Sequence, residues 1–100
     1  MGWVNEAREA LARGERVQVR PLGGSMRGRI ESGQLVTLVP ADGKSAAVGD
    51  VVLVRWRSGF LLHLVKQVRG HELLIGNNIG RINGWVPTGA VLGKVIAVQD

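Results

Sequence analysis

The chain contains no cysteine and no tyrosine, a single phenylalanine and three prolines. Without cysteine, disulfides, thiol catalysis, redox chemistry and thiolate zinc sites are excluded, and an intracellular setting is the natural expectation. The two histidines, at positions 63 and 71, do not make a metal site by themselves, so neither metal nor cofactor is expected. Uninterrupted apolar stretches such as Val51 to Val54 and Phe60 to Leu62 are far too short to cross a bilayer. Residues 1 to 20 carry charge throughout. Nothing is therefore expected to anchor or export the chain, and a soluble, cytoplasmic protein without a membrane partner is expected. Acidic residues are also scarce, with eight against thirteen Lys and Arg, a net charge of +5. Ten of the thirteen cations are Arg, spread along the chain, with only Arg27/Arg29 and Arg55/Arg57 as close pairs. Scattered charge of this kind solubilises; a nucleic-acid partner would want clustered cations and exposed aromatics for base stacking.

One hundred residues suit one domain over 1–100 with a modest core. A short amphipathic helix is expected over about residues 5–13, capped by Asn5, with Glu6 in its first turn, Arg13 in its last and Gly14 as its stop. From about residue 16 the hydrophobic period changes to two. Val17 and Val19 alternate with Gln18 and Arg20 until Pro21 and the glycines at 23 and 24. Further strands are expected at Leu35 to Val39, Val51 to Trp56, Phe60 to Val68, Glu72 to Ile75 and Val91 to Val98. Gly76 to Gly84 reads as a long, Asn/Gly-rich loop. Short strands with frequent turns predict a mostly β domain over about 16–98, an antiparallel meander curled into a small barrel.

Two motifs fail. Gly43-Lys44-Ser45 lacks the phosphate-loop glycine, since Leu38 stands in its place, and no helix follows. Gly23 and Ser25 begin a nucleophile elbow, but its second glycine is Arg27 and the chain is too short for that fold.

A third pattern survives. Gly24-Ser25-Met26-Arg27-Gly28-Arg29-Ile30-Glu31-Ser32-Gly33-Gln34-Leu35-Val36 resembles the nucleophile motif of the LexA-like and signal-peptidase-like serine peptidases, in which Ser-Met precedes a turn, an apolar residue, a glycine and a strand. Val48-Gly49-Asp50-Val51-Val52-Leu53-Val54 resembles their Gly-Asp-plus-valine strand. Leu61-Leu62-His63-Leu64-Val65 is similar to the strand that carries a catalytic Lys in LexA-like members and a His in archaeal and endoplasmic-reticulum signal peptidases. Leu74-Ile75-Gly76-Asn77-Asn78 stands where many relatives carry Gly-Asp-Asn, and Val91-Leu92-Gly93-Lys94-Val95 resembles their closing strand. The blocks cover roughly residues 20 to 98 in matching order.

The resemblance implies a small antiparallel, barrel-like β fold of the LexA/signal peptidase type with one short N-terminal helix. It implies Ser25 as nucleophile, His63 as base, and backbone N–H groups of Gly24 and Ser25 as oxyanion donors. The relatives' acid is replaced by Asn77 or Asn78, so the third residue is an amide, and a Ser-His dyad is expected. Proline two residues after the relatives' Met is here Gly28, implying a looser turn, and their hydroxyl two before the nucleophile is here Gly23. Serine needs an unprotonated neighbour to act as a nucleophile, and imidazole, ordinarily titrating near about 6.5, meets that need without deep burial. Period two places His63 with Leu61 and Val65, and Lys66 on the other face. The expected function is a soluble serine endopeptidase that binds an extended segment of a protein precursor at a sheet edge.

Blander roles compete. Ser25 beside glycines is a common turn residue, His63 a satisfied strand histidine, and His71 a solvated turn residue. Met26, Trp3, Trp56 and Trp85 fit packing roles, and Asn77, Asn78 and Asn83 fit turns. An inactive relative acting as a peptide- or protein-binding module and a small basic nucleic-acid-binding barrel are the alternatives.

Overall fold

A computed structural model describes residues 2–100. In chain order the elements are helix α1 (Gly2–Ala12) and strands β1 (Val17–Val19), β2 (Leu35–Pro40), β3 (Val51–Trp56), β4 (Gly59–Arg69), β5 (Glu72–Gly76), β6 (Ile82–Pro87) and β7 (Val91–Gln99).

Helix α1 forms because Trp3, Ala7, Ala10 and Leu11 share one face at helical spacing, and that face packs towards β1, β2 and β7. It stops where Gly14 adopts φ 77°, which lets the Gly14 and Glu15 N–H groups bond back to the Leu11 and Ala10 carbonyls at 3.0 Å each. Its start differs from expectation. The helix begins at Gly2 and Asn5 lies inside it, half-buried rather than capping. Trp3 packs against the core, so apolar burial carries the helix farther back than the polar signal at Asn5 implied.

All seven strands join one antiparallel sheet in the order β1-β2-β7-β3-β4-β5-β6. Strands β3 to β6 run as consecutive hairpins, and β7 returns between β2 and β3. Strand β3 is covered on both faces. Val51 and Leu53 join one apolar cluster with Leu11, Met26 and Leu38, while Val52 and Val54 join a second with Val65, Leu73 and Ile75. Two-sided burial explains why β3 reads as an unbroken apolar run rather than an alternation.

The sheet is not closed. Among the described residues β1 and β6 each pair on one side only, and β1, three residues long, finds its partner in β2. The expected loop from Gly76 to Gly84 is also shorter than read, because Ile82–Pro87 pairs with β5 as an edge strand. Asn83, Gly84 and Pro87 hide that strand in the sequence; an edge position tolerates them.

Candidate functional site

The segment between β1 and β2 turns tightly around Ser25. Arg27 N–H donates to the Gly24 carbonyl at 3.2 Å, and the Arg29 and Ile30 N–H groups donate to the Met26 carbonyl at 2.9 and 2.8 Å. Met26 and Ile30 are buried in the first apolar cluster, whereas Ser25 is exposed. Two apolar anchors therefore hold a turn that presents the hydroxyl outward.

Two distant pieces of chain and one local contact tie this turn down. Asn78 N–H donates to the Ser25 carbonyl at 3.0 Å, and its side-chain Nδ2 donates to the Arg27 carbonyl at 2.7 Å. The Arg29 guanidinium donates to the Gly49 carbonyl at 2.8 Å. Gly28 adopts φ 95°, which proline cannot reach, and its N–H, which proline lacks, donates to a Glu31 carboxylate oxygen at 2.8 Å. The turn at Gly28 is thus not looser for want of proline; it follows a different path that requires glycine.

His63 lies on β4, buried, opposite Val52 of β3. Its Nδ1 is 2.5 Å from the Leu62 carbonyl oxygen. A carbonyl only accepts, so in the neutral ring this contact puts the proton on Nδ1 and the lone pair on Nε2. Strand β5 pairs with β4 only from Leu64 onward, leaving Gly59 to His63 with an unpaired edge. That edge borders a cavity of about 180 Å³ whose walls include Ser25, His63, Met26, Phe60, Leu62 and Trp3. Ser25 and His63 thus face one cavity, although no hydrogen bond joins them. The backbone N–H groups of Gly24 and Ser25 have no hydrogen-bond partner among the described residues.

Asn77 and Asn78 are not on the cavity wall. Asn77, buried just past β5, accepts the Ile79 and Arg81 N–H groups at Oδ1 at 3.0 and 2.9 Å, and Asn78 holds the Ser25 turn. Neither side chain hydrogen-bonds His63; the group that orients the ring is the Leu62 carbonyl. Lys66 also lies off the cavity wall. It is the extra residue of a β-bulge, and its stem runs against Gly76.

The remaining motifs are structural. Gly43-Lys44-Ser45 is a 3-10 turn capped by Asp42, whose Oδ1 accepts the Lys44 N–H at 2.8 Å. Asp50 caps the turn before β3 by accepting the Ala47 N–H at 2.9 Å, with Lys94 Nζ 3.8 Å away. His71 is exposed in the β4–β5 turn. The places of Trp3 and Phe60 on the cavity wall and the bond from Arg29 to Gly49 are visible only in three dimensions.

Among the described residues no group of three or more His, Asp or Glu side chains could hold a metal ion, and no helix is long and apolar enough to cross a membrane. Comparison of the sequence with protein-family models gives no match, and comparison with curated proteins gives none either.

Proposed function

We propose that the chain is a serine endopeptidase of the LexA-like and signal-peptidase-like kind, acting on an extended segment of a protein precursor through a Ser25-His63 dyad. The observation that carries this reading is the meeting of Ser25 and His63 at one cavity, with the imidazole lone pair left at Nε2.

In this reading Ser25 Oγ attacks the scissile carbonyl while His63 Nε2 takes the hydroxyl proton and then passes it to the leaving amine. The resulting ester is attacked by water, whose proton goes to Nε2 and is then returned to Ser25 Oγ as the acid product leaves. The N–H groups of Gly24 and Ser25 are the available donors for the oxyanion. Substrate binding by strand addition is supported by the unpaired edge of β4 at Gly59 to His63 and by Leu22 on the cavity wall, 78% exposed despite its size.

A second reading, a peptide-binding module without catalysis, is favoured by one observation: among the described residues no carboxylate hydrogen-bonds His63. A serine-directed acylating probe separates the two. Wild type should gain one probe mass on Ser25, and Ser25→Ala should gain none. If wild type is neither acylated nor able to cleave any peptide, the binding module stands.

A further inference from the structure

Away from Ser25, a groove between α1 and the β3–β7 pair carries two guanidinium groups, those of Arg8 and Arg55, with Glu9, Ala12 and Leu92 beside them. Phe60 relates the two arginines. It stands directly opposite Arg55 in the β3–β4 ladder, and the Arg8 guanidinium stacks 5.2 Å from the centre of its ring. Arg13, Arg20, Arg29 and Arg69 each end on a carboxylate or a carbonyl of this chain. Among the described residues neither Arg8 nor Arg55 pairs with a carboxylate, and Arg8 Nε is buried without a hydrogen-bond partner. Glu9, on the groove wall, lies beyond ion-pair distance of both. Like charges held side by side repel, and an arriving anion relieves that cost. The surface bordering Arg55 is apolar, made by Leu11, Ala12 and Leu92.

We propose that this groove docks an acidic segment of a protein partner, one carboxylate being held by Arg8 and Arg55 while a neighbouring apolar side chain lies on Leu92. Arginine suits the task because its planar fork meets a carboxylate with two hydrogen bonds while its face stays stacked on an aromatic ring. The apolar border favours a peptide over a free anion, which would leave that border uncovered. It also disfavours a nucleic acid, whose bases need an open aromatic face, whereas Arg8 already stacks on Phe60. The site uses neither Ser25 nor His63, so it stands or falls apart from the peptidase reading and adds a contact outside the segment lying at the edge of β4.

The test reads binding in Ser25→Ala, so that no peptide is consumed. Fluorescein-labelled ten-residue peptides carrying two Glu-Leu, two Gln-Leu or two Glu-Ser pairs are titrated and followed by anisotropy. The Glu-Leu peptide should bind at least ten-fold more tightly than the Gln-Leu peptide and several-fold more tightly than the Glu-Ser peptide. Adding Arg8→Gln or Arg55→Gln should each weaken the Glu-Leu peptide about ten-fold, whereas Arg16→Gln, which removes the same charge elsewhere, should change it less than about two-fold. Glu9→Gln should tighten it several-fold by removing a like charge from the wall. Thermal unfolding confirms that each variant is folded; should Arg8→Gln not fold, Arg55→Gln, at an exposed position, carries the test. Equal affinity for Glu-Leu and Gln-Leu peptides, or a loss in Arg16→Gln as large as in Arg55→Gln, overturns the proposal. Equal affinity for Glu-Leu and Glu-Ser peptides, with displacement of both by inorganic phosphate, would leave a simple anion site and overturn peptide docking. A single-stranded oligonucleotide that binds more tightly than the Glu-Leu peptide and is lost in Arg55→Gln would overturn it in favour of a nucleic acid. Acylation of Ser25 in the wild-type chain is read separately and bears only on the peptidase reading.

Discussion

On the peptidase reading, Leu62 and Asn78 divide between them the duties that a catalytic acid combines. The Leu62 carbonyl orients the His63 ring but supplies no full charge to an imidazolium, and Asn78 steadies the Ser25 turn. On the peptidase reading, His63→Ala should lower the rate of Ser25 acylation by about 10²- to 10⁴-fold. Lys66→Met, which keeps the stem against Gly76, should leave it within about two-fold; a collapse in Lys66→Met with His63→Ala unaffected would transfer the role of base to Lys66. Asn78→Asp replaces a donor by an acceptor facing the Arg27 carbonyl. It should therefore destabilise the turn by about 1–3 kcal/mol and reduce acylation, read from thermal unfolding and probe kinetics together. From the sequence alone the opposite follows if the acid of the families it resembles falls at Asn78 rather than Asn77, because an added carboxylate there would be expected to help. The direction of the amide is not legible in the sequence, since it depends on a partner fifty-one residues away.

At the level of elements, legibility followed burial. Strand β3 announced itself as an apolar run because both its faces are covered, and Gly14 marked the end of α1 because a left-handed residue is needed there. Strand β6 did not, since edge pairing with β5 needs few apolar side chains, and α1 began early because Trp3 is drawn to the core. The bulge at Lys66 also escapes period-two reasoning, which assumes an unbroken ladder. Gly28 tests how far the turn departs from that of the families whose motif it resembles. Restoring their proline with Gly28→Pro forces φ out of the left-handed region and removes the N–H bonded to Glu31, a loss of at least about 2 kcal/mol. Gly28→Ala keeps the N–H but strains φ and brings a methyl to 2.9 Å from Asn78 Nδ2. Its smaller loss, about 1 kcal/mol, corresponds to roughly 4–8 °C in Tm for a domain of this size. A Tm for Gly28→Pro equal to that of wild type would refute the described turn.

For the whole molecule the two apolar clusters share β3, so neither can lose its packing without disturbing the other. Leu53→Ala in one cluster and Leu73→Ala in the other should each lower stability by about 2–5 kcal/mol, as fully buried leucines. Both should do so through a single unfolding transition seen alike by far-ultraviolet circular dichroism and tryptophan fluorescence. Two separable transitions would mean that the faces of the sheet fold independently.

The place of β7 between β2 and β3 has a consequence for synthesis. While Val91–Gln99 is still inside a ribosome, α1, β1 and β2 have no central strand to join, and the β3–β6 hairpins wait without their inner neighbour. The Ser25 turn emerges with the first group and His63 with the second. On the peptidase reading, a nascent chain without β7 holds Ser25 and His63 on parts that are linked by the Asn78 and Gly49 tethers but not yet paired through the sheet, and it should be slow towards neighbouring nascent chains until β7 slots in.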